Sequence, residues 1–403
     1  MRRPRVVLLS YVVPHADIPH AGGRYLLALC QVLEREVDLT FLAPYTRVNV
    51  GAVAAPGAPA NVVLVGSPGR RLPARILNRL ALLADRGLRP HDPGAPYLPF
   101  VMGILRDPAV RRTIRRADVL DLQWLDSIRV LPVLRLLNRR ARAVGTFHDV
   151  QSQSFSREPA RDARERRYWR RMTRRAQCHE RRAVAGLDAV LAFSPKDLTL
   201  LGDPANGALV LPPLAPGEAP AHPPAGGVPT VLFVSYLARA ENHQAARWLL
   251  ASIWPQVLAA HPDAALRIVG SGAAPDLIEQ AAASRGVTLA GFVPDLADEY
   301  ARAWVAIIPL LQGAGVKFKT VEALWHGVPT VATTVGAEGI DGPDLFAGVS
   351  DDAATLAAAV STALADPAVA AGQALRAQAW VGRTYGREQF VASIRRAISP
   401  AGH

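Results

Sequence analysis

Only two cysteines, Cys30 and Cys178, occur in 403 residues, so the chain carries neither a disulfide framework nor a cysteine-based metal pattern. No uninterrupted apolar run approaches the roughly 18–20 residues that span a bilayer. Aromatic residues make up 6% of the chain and no nucleic-acid-binding motif is present, which argues against nucleic acid as a partner. No Asp-x-Asp pair is present to hold a divalent cation, so no metal is expected. No repeat with a period in the 20–50-residue range stands out. Carboxylates are the scarcer charge: 34 acidic against 46 basic residues give +12, which suits anionic partners.

Half of the residues are apolar and 20% are charged, as fits an α/β protein with large buried parallel sheets. The length suits two domains of about 200 residues each. The opening Met-Arg-Arg-Pro-Arg precedes an apolar run, Val6 to Leu9, but polar residues and proline soon follow and no small-residue cleavage site appears. It reads as the first strand and not as a signal peptide, so the expected location is cytoplasmic. Much of the basic excess sits in Arg157–Arg182, whose net charge is +7. Tyr168, Trp169, Met172 and Ala176 form an apolar stripe there at helical spacing. Such a helix can touch an anionic membrane or an acidic acceptor, or can simply be a solvated face.

Strand and helix signals alternate through the first half: strands at Arg5–Tyr11, Val37–Leu42, Asn61–Val65, Ala117–Leu122, Ala141–Phe147 and Val190–Phe193, and a helix at Gly23–Glu34. A stretch rich in Pro, Gly and Arg from about Gly66 to Leu98 reads as irregular. Six prolines between Leu211 and Gly227 mark a linker. A second series follows, with strands at Thr230–Val234, Ala265–Gly270, Gly286–Ala290, Ala306–Leu311 and Thr330–Thr334, a helix at Glu241–Leu258, and alanine-rich helices at Asp351–Ala365 and Pro367–Val381. The expected organisation is a Rossmann-like domain over 1–211, a linker over 212–227, a second Rossmann-like domain over 228–386, and a last segment, 387–403.

The most informative segment is Gly313-Ala-Gly-Val-Lys-Phe-Lys-Thr-Val-Glu322. It places a glycine-rich turn with two lysines between a buried strand and a helix, which Gly327 and Pro329 terminate. Backbone N–H groups and the positive helix end favour an anion there. Lys317 and Lys319 add charge, and Glu322 lies one turn inside, where a carboxylate can accept from two vicinal hydroxyls. Phosphate on amides and lysines, with ribose on a carboxylate, is how a nucleotide diphosphate is held.

This segment resembles the donor-binding signature of the retaining nucleotide-sugar glycosyltransferases of family 4, whose two-domain α/β fold is called GT-B: two doubly wound Rossmann-like domains facing a cleft. Many members carry two glutamates eight positions apart. Glu322 matches the second, and Ala314 stands at the first, so the segment is similar to the subgroup pattern Gly-x-Gly-x-Lys-x-Lys-x-x-Glu-Ala. The resemblance implies transfer of a sugar from a nucleotide-diphosphate donor to a small-molecule, glycan or lipid-linked hydroxyl, with retention, no cofactor beyond that co-substrate, and hexosyltransferase-like chemistry. It implies that Gly315, Val316, Lys317, Lys319 and Glu322 hold the donor, and that Gly291-Phe292-Val293 edges the nucleobase. It also implies that the last helix, Arg387–Ile398, returns to the first domain. A sugar-nucleotide epimerase of the same fold, or a non-catalytic sugar-nucleotide-binding protein, are the alternatives.

Other residues follow strands at the edge where α/β ligand sites form. His20-Ala-Gly22-Gly23 opens the first helix, and its adjacent glycines permit positive φ and close approach to a diphosphate. His148, beside Asp149, can bond a substrate hydroxyl or steady a developing charge; the resemblance implies a histidine near the transferred sugar. Alternatively Asp149 holds it with no substrate role. Trp124 and Asp126, with Gln123, can shape the acceptor side, as can His20. Where the family carries an arginine and a lysine for the diphosphate, this chain has Tyr236 and Asn242, leaving Arg239, Lys317 and Lys319 as the available cations. Gly270-Ser-Gly272 imitates a dinucleotide fingerprint but lacks its third glycine, and reads as a structural turn. Two loops in different halves, one at Gly22-Gly23 and one at Gly315–Lys319, are expected to draw closed on a nucleotide.

Overall fold

Short runs of buried aliphatic residues build two parallel sheets. The computed structural model describes residues 2–18, 20–67, 72–158, 160, 162–214, 217–221, 227–342 and 344–399. Two compact units result: one comprises the chain up to Pro212 together with the segment from Phe390 onward, the other Pro213–Gln389. Pro216, Pro223 and Pro224 of the expected linker, and Arg161 of the basic segment, lie outside the described residues.

The first unit has seven strands: β1 (Arg5–Leu9), β2 (Asp38–Pro44), β3 (Val62–Val65), β4 (Val119–Gln123), β5 (Arg142–Phe147), β6 (Ala189–Ala192) and β7 (Gly207–Leu209). They are ordered β3-β2-β1-β4-β5-β6-β7 and every pairing is parallel. The chain therefore leaves β1 towards one edge and resumes at β4 towards the other. The last helix, Arg387–Ile398, adds Phe390 to this unit's aromatic core against Tyr25, with ring centroids 5.7 Å apart. Arg142 Nε donates to Ala397 O at 3.0 Å, and Arg395 donates to Glu36 at 2.8 Å.

The second unit has β8 (Thr230–Val234), β9 (Ala265–Val269), β10 (Val287–Gly291), β11 (Val305–Ile308), β12 (Thr330–Ala332) and β13 (Gly348–Val349), ordered β10-β9-β8-β11-β12-β13 and again parallel. Val231 and Phe233 enter one core cluster and Leu232 the opposite one, so alternate side chains of one strand are buried on both faces. That is why these strands read as continuous apolar runs.

Two segments depart from the sequence reading. The stretch expected to be irregular contains a 17-residue helix, Leu72–Leu88; Pro73 stands in its first turn, where a missing N–H costs nothing. The helix expected over Glu241–Leu258 is Ala240–Trp248, a widened π-type turn at Leu249–Ile253, then Trp254–Ala260, because Pro255 cannot donate into a regular helix. On the basic helix Ala163–Gly186, Met172 and Ala176 of the expected stripe are buried and Trp169 packs on Phe155, while Tyr168 is exposed and the arginines around it form the solvated face. Among the described residues no single helix is long and apolar enough to cross a membrane.

Candidate functional site

In an open parallel sheet the loops at the carboxyl ends of strands part where the strand order reverses, leaving a crevice. In the second unit that point lies between β8 and β11. The loop after β11 carries Gly313 to Lys317 and leads into the helix Phe318–Trp325, whose cap, Lys317, supplies no side-chain hydrogen bond to it. Thr333 secures the start of the loop: its hydroxyl donates to Leu310 O and accepts from Gly336 N. Gly315 adopts φ +71° in the turn itself.

The two lysines of this loop do different things. Lys317 turns back on its own turn, donating to Ala314 O at 3.1 Å and Gly315 O at 2.5 Å, and lies 3.5 Å from the buried carboxylate of Glu338. It braces the loop. Lys319 reaches across the reversal point and donates to Ser235 Oγ at 2.5 Å and Asn242 Oδ1 at 2.8 Å. Both acceptors are neutral. Burial, then the charges of Arg239 and Lys317, push its pKa down to about 7, while Glu241 opposes them. Among the described residues the ammonium makes no ion pair, and an arriving anion stabilises its charged form.

The β8 loop is held for this purpose by the turn after β9. Leu237 N donates to Ser271 O at 2.8 Å. At Gly270, φ is +144° and a Cβ would fall 1.7 Å from Ser235 O, so only glycine lets the two loops meet. Asn242 also donates to Tyr236 O at 2.7 Å, which fixes which end of its amide faces Lys319. Arg239 caps the helix Ala240–Trp248 and pairs with Glu241 at 2.6 Å, with 64% of its side chain exposed. Glu322, half-buried, follows Lys319 by three positions on the same helix face; Val316 is buried beneath the loop. Beside Gly270 a groove of about 490 Å³ runs along Gly272, Leu289 and Gly291, and Phe292, 73% exposed, follows directly.

The first unit reverses its order between β1 and β4. His20 caps the helix Ala21–Glu36, its Nδ1 accepting from Gly23 N at 3.0 Å. Gly22 and Gly23 owe their identity to packing and not to positive φ: a Cβ on Gly22 would lie 2.6 Å from Trp124, and one on Gly23 would lie 2.1 Å from Ile18. Trp124, at the end of β4, has φ +65°, a strained conformation for a bulky residue. Its ring stacks on His148 with centroids 3.7 Å apart.

His148 is buried. Its Nε2 lies 2.9 Å from Gln123 Oε1. Gln123 directs its amide at Asp121 Oδ1, 2.5 Å away, and Thr146 Oγ1, 3.3 Å away, so its carbonyl faces the ring and Nε2 carries the proton. Nδ1 keeps its lone pair and has no partner among the described residues. Burial, with His20, holds the imidazole well below its usual pKa, and burial raises Asp121 to about 7. Asp149 is exposed and makes no hydrogen bond to either ring nitrogen. Asp126 accepts from Ser127 N at 2.8 Å, and burial raises its pKa to about 6.

The structure thus brings Trp124, His148 and Gly22 together in one unit, and Lys319, Lys317 and Arg239 in the other. Three supports went unassigned in the sequence: Ser235 and Asn242 under Lys319, and Asp121 behind Gln123. Asp121 and Gln123 had a visible signal, two polar residues two apart in an otherwise aliphatic strand.

Residues 228–366 match the protein family described as Glycosyl transferases group 1. A Klebsiella pneumoniae protein described as an uncharacterized 44.6 kDa protein in the cps region is 32% identical over 117 residues, 27% of this chain. The chain matches only 30% of that relative's length. Solved structures are similar along nearly the whole chain. Sucrose-phosphate synthase from Thermosynechococcus elongatus superposes with a TM-score of 0.67 at 17% identity, covering 98% of each chain. Anabaena Alr3699/HepE, solved in complex with UDP and glucose, gives 0.64 at 15% identity over 98% of this chain and 99% of that one. A glycosyltransferase from Rickettsia africae gives 0.62 at 12% identity, covering 100% of both. The fold is GT-B, two Rossmann-like units each built on a parallel sheet.

Proposed function

We propose that the protein is a glycosyltransferase that takes its sugar from a nucleotide-diphosphate donor and delivers it to a hydroxyl of a small-molecule, glycan or lipid-linked acceptor, with retention at the anomeric carbon and without a metal. One observation carries the reading: the ammonium of Lys319, fixed by two neutral oxygens at the reversal point of the second sheet. The family match over residues 228–366 and the UDP found with the Anabaena protein of the same fold support it.

In this reading the donor diphosphate lies on Lys319 and on the N-terminal amides of the helix Phe318–Trp325, with the exposed Arg239 beside them. Glu322 takes the ribose hydroxyls, and the base lies along Gly291 and Phe292. As the sugar–phosphate bond breaks, negative charge grows on the leaving diphosphate. A preorganised cation there lowers the barrier. The leaving phosphate oxygen accepts the acceptor's proton while the new bond forms on the same face of the sugar. In the first unit, His148 Nδ1 accepts a hydrogen bond from a substrate hydroxyl, and Gly22, Trp124 and Asp126 shape the surroundings. Asn242, which stands where the family carries a lysine, here positions the cation of Lys319.

Incubating the protein with a panel of nucleotide sugars, with and without candidate acceptors, and reading nucleotide release by mass spectrometry tests the proposal. One donor is expected to turn over, with an α-linked product from an α-linked donor by NMR. Tight binding of a nucleotide sugar with no hydrolysis, transfer or epimerisation would leave the binding-only reading standing in its place.

A further inference from the structure

The helix Leu72–Leu88 presents its apolar side outward. Going round its axis, three sectors appear. Ala81 and Asp85 are buried and Asn78 and Leu82 half-buried on the inner side. Ile76, Leu80 and Leu83 are 51–58% exposed, with Leu77 at 42% beside them. Arg75, Arg79 and Arg86 are exposed on the flank between those two sectors. An amphipathic surface helix ordinarily buries its aliphatic stripe against the core, so four adjacent aliphatic side chains left outside mark an interaction surface.

Charge identifies the partner. The helix has one carboxylate, Asp85, and it is buried, accepting from Arg89 and from Leu98 N. Its exposed surface is therefore aliphatic and cationic with no exposed acidic side chain. The next segment continues the pattern. Tyr168 Oη donates to Pro90 O and Arg175 to His91 O, which ties the end of this helix to the basic helix Ala163–Gly186. There Arg170, Arg171 and Arg174 are exposed. Aliphatic side chains that enter an acyl layer, rimmed by guanidinium groups at headgroup level, suit a bilayer rich in anionic lipid.

We propose that the helix Leu72–Leu88 docks the protein on an anionic membrane surface, inserting Ile76, Leu80 and Leu83 while Arg75, Arg79 and Arg86 pair with lipid phosphates. The basic helix adds long-range attraction but no aliphatic insertion, because Met172 and Ala176 are buried and Tyr168 is held on Pro90 O. The inference is independent of the proposed activity, since docking needs no donor or acceptor.

Co-sedimentation of the full-length protein with vesicles of phosphatidylcholine alone, or mixed with phosphatidylglycerol, reads the docking directly. The wild type is expected to partition to the mixed vesicles, to be released by salt, and to ignore phosphatidylcholine. The Leu80→Glu/Leu83→Glu variant should lose about tenfold or more in partitioning, and each Arg→Ala change at 75, 79 or 86 about fivefold. Those side chains are exposed, so circular dichroism and Tm should match the wild type. No binding of the wild type to anionic vesicles would overturn the proposal, as would undiminished binding of the well-folded Glu variant. Self-association of the wild type that the Glu substitutions abolish, without vesicle binding, would assign this face to a second copy instead.

Discussion

Lys319 donates to the side-chain carbonyl of Asn242, 77 positions earlier, across 2.8 Å. The cation's position is thus set by the loop after one strand although the lysine belongs to the helix after another. The half-charged state that this creates near pH 7 gives a direct signature. An anion favours the protonated lysine and raises its pKa on binding. Affinity for a nucleotide diphosphate should therefore be level below about pH 7 and weaken as pH rises beyond it. Calorimetry above pH 7 in two buffers of different ionisation enthalpy should show proton uptake on binding in the wild type and less in Lys319→Met. Equal uptake in both would assign the proton elsewhere.

Asn242→Asp places a carboxylate beside the ammonium. Lys319 should then stay charged to a higher pH, so the fall in affinity moves upward, while affinity at pH 6 drops by roughly tenfold because the new carboxylate competes with phosphate. A profile identical to that of the wild type would mean that the amide does not govern the lysine.

Gly270→Ala should destabilise the second unit by about 2 kcal/mol or more, since both its φ and the carbonyl of Ser235 exclude a Cβ. Denaturant unfolding measures it. A change within about 0.5 kcal/mol would show that the β8 and β9 loops are not locked as described.

Burial holds Asp121 in its acid form up to about pH 7, well above its unfolded value. Between those two values the folded protein binds more protons than the unfolded chain, so this group's contribution to stability is present at low pH and lost as pH rises through about 7. Asp121→Asn keeps an acceptor for Gln123 and should raise Tm at pH 8 but not at pH 4. The His148 tautomer, read by long-range nitrogen–proton NMR, should stay Nε2–H in that variant and become mixed in Gln123→Leu. An unchanged tautomer in Gln123→Leu would remove Gln123 as the positioning residue.

Most strands were legible because both faces of each sheet are covered, and Thr230–Val234 has the same bounds in sequence and structure. Strands β7 and β13, of three and two residues, are too short to show any period. The helix Leu72–Leu88 was missed for another reason. Ala81 and Leu82 turn inward but Ile76, Leu77, Leu80 and Leu83 face outward, and Pro73 with the flanking arginines reads as a loop. At the site, Lys319 and Glu322 stood out because a strand–turn–helix is local in sequence. Ser235, Asn242 and the Asp121–Gln123–His148 chain could not be paired in advance, since each contact joins loops or strands brought together only by the order of the sheet.

The most direct test of the account is calorimetric titration of the full-length protein with UDP, GDP, TDP and ADP at pH 6.5, repeated on Lys319→Met. One nucleotide should bind, the corresponding nucleoside far more weakly, and Lys319→Met should lower the diphosphate's affinity by roughly tenfold to a hundredfold, the worth of a charged hydrogen bond, without altering Tm appreciably. An unchanged diphosphate affinity in the folded variant would contradict the claim that Lys319 holds the donor.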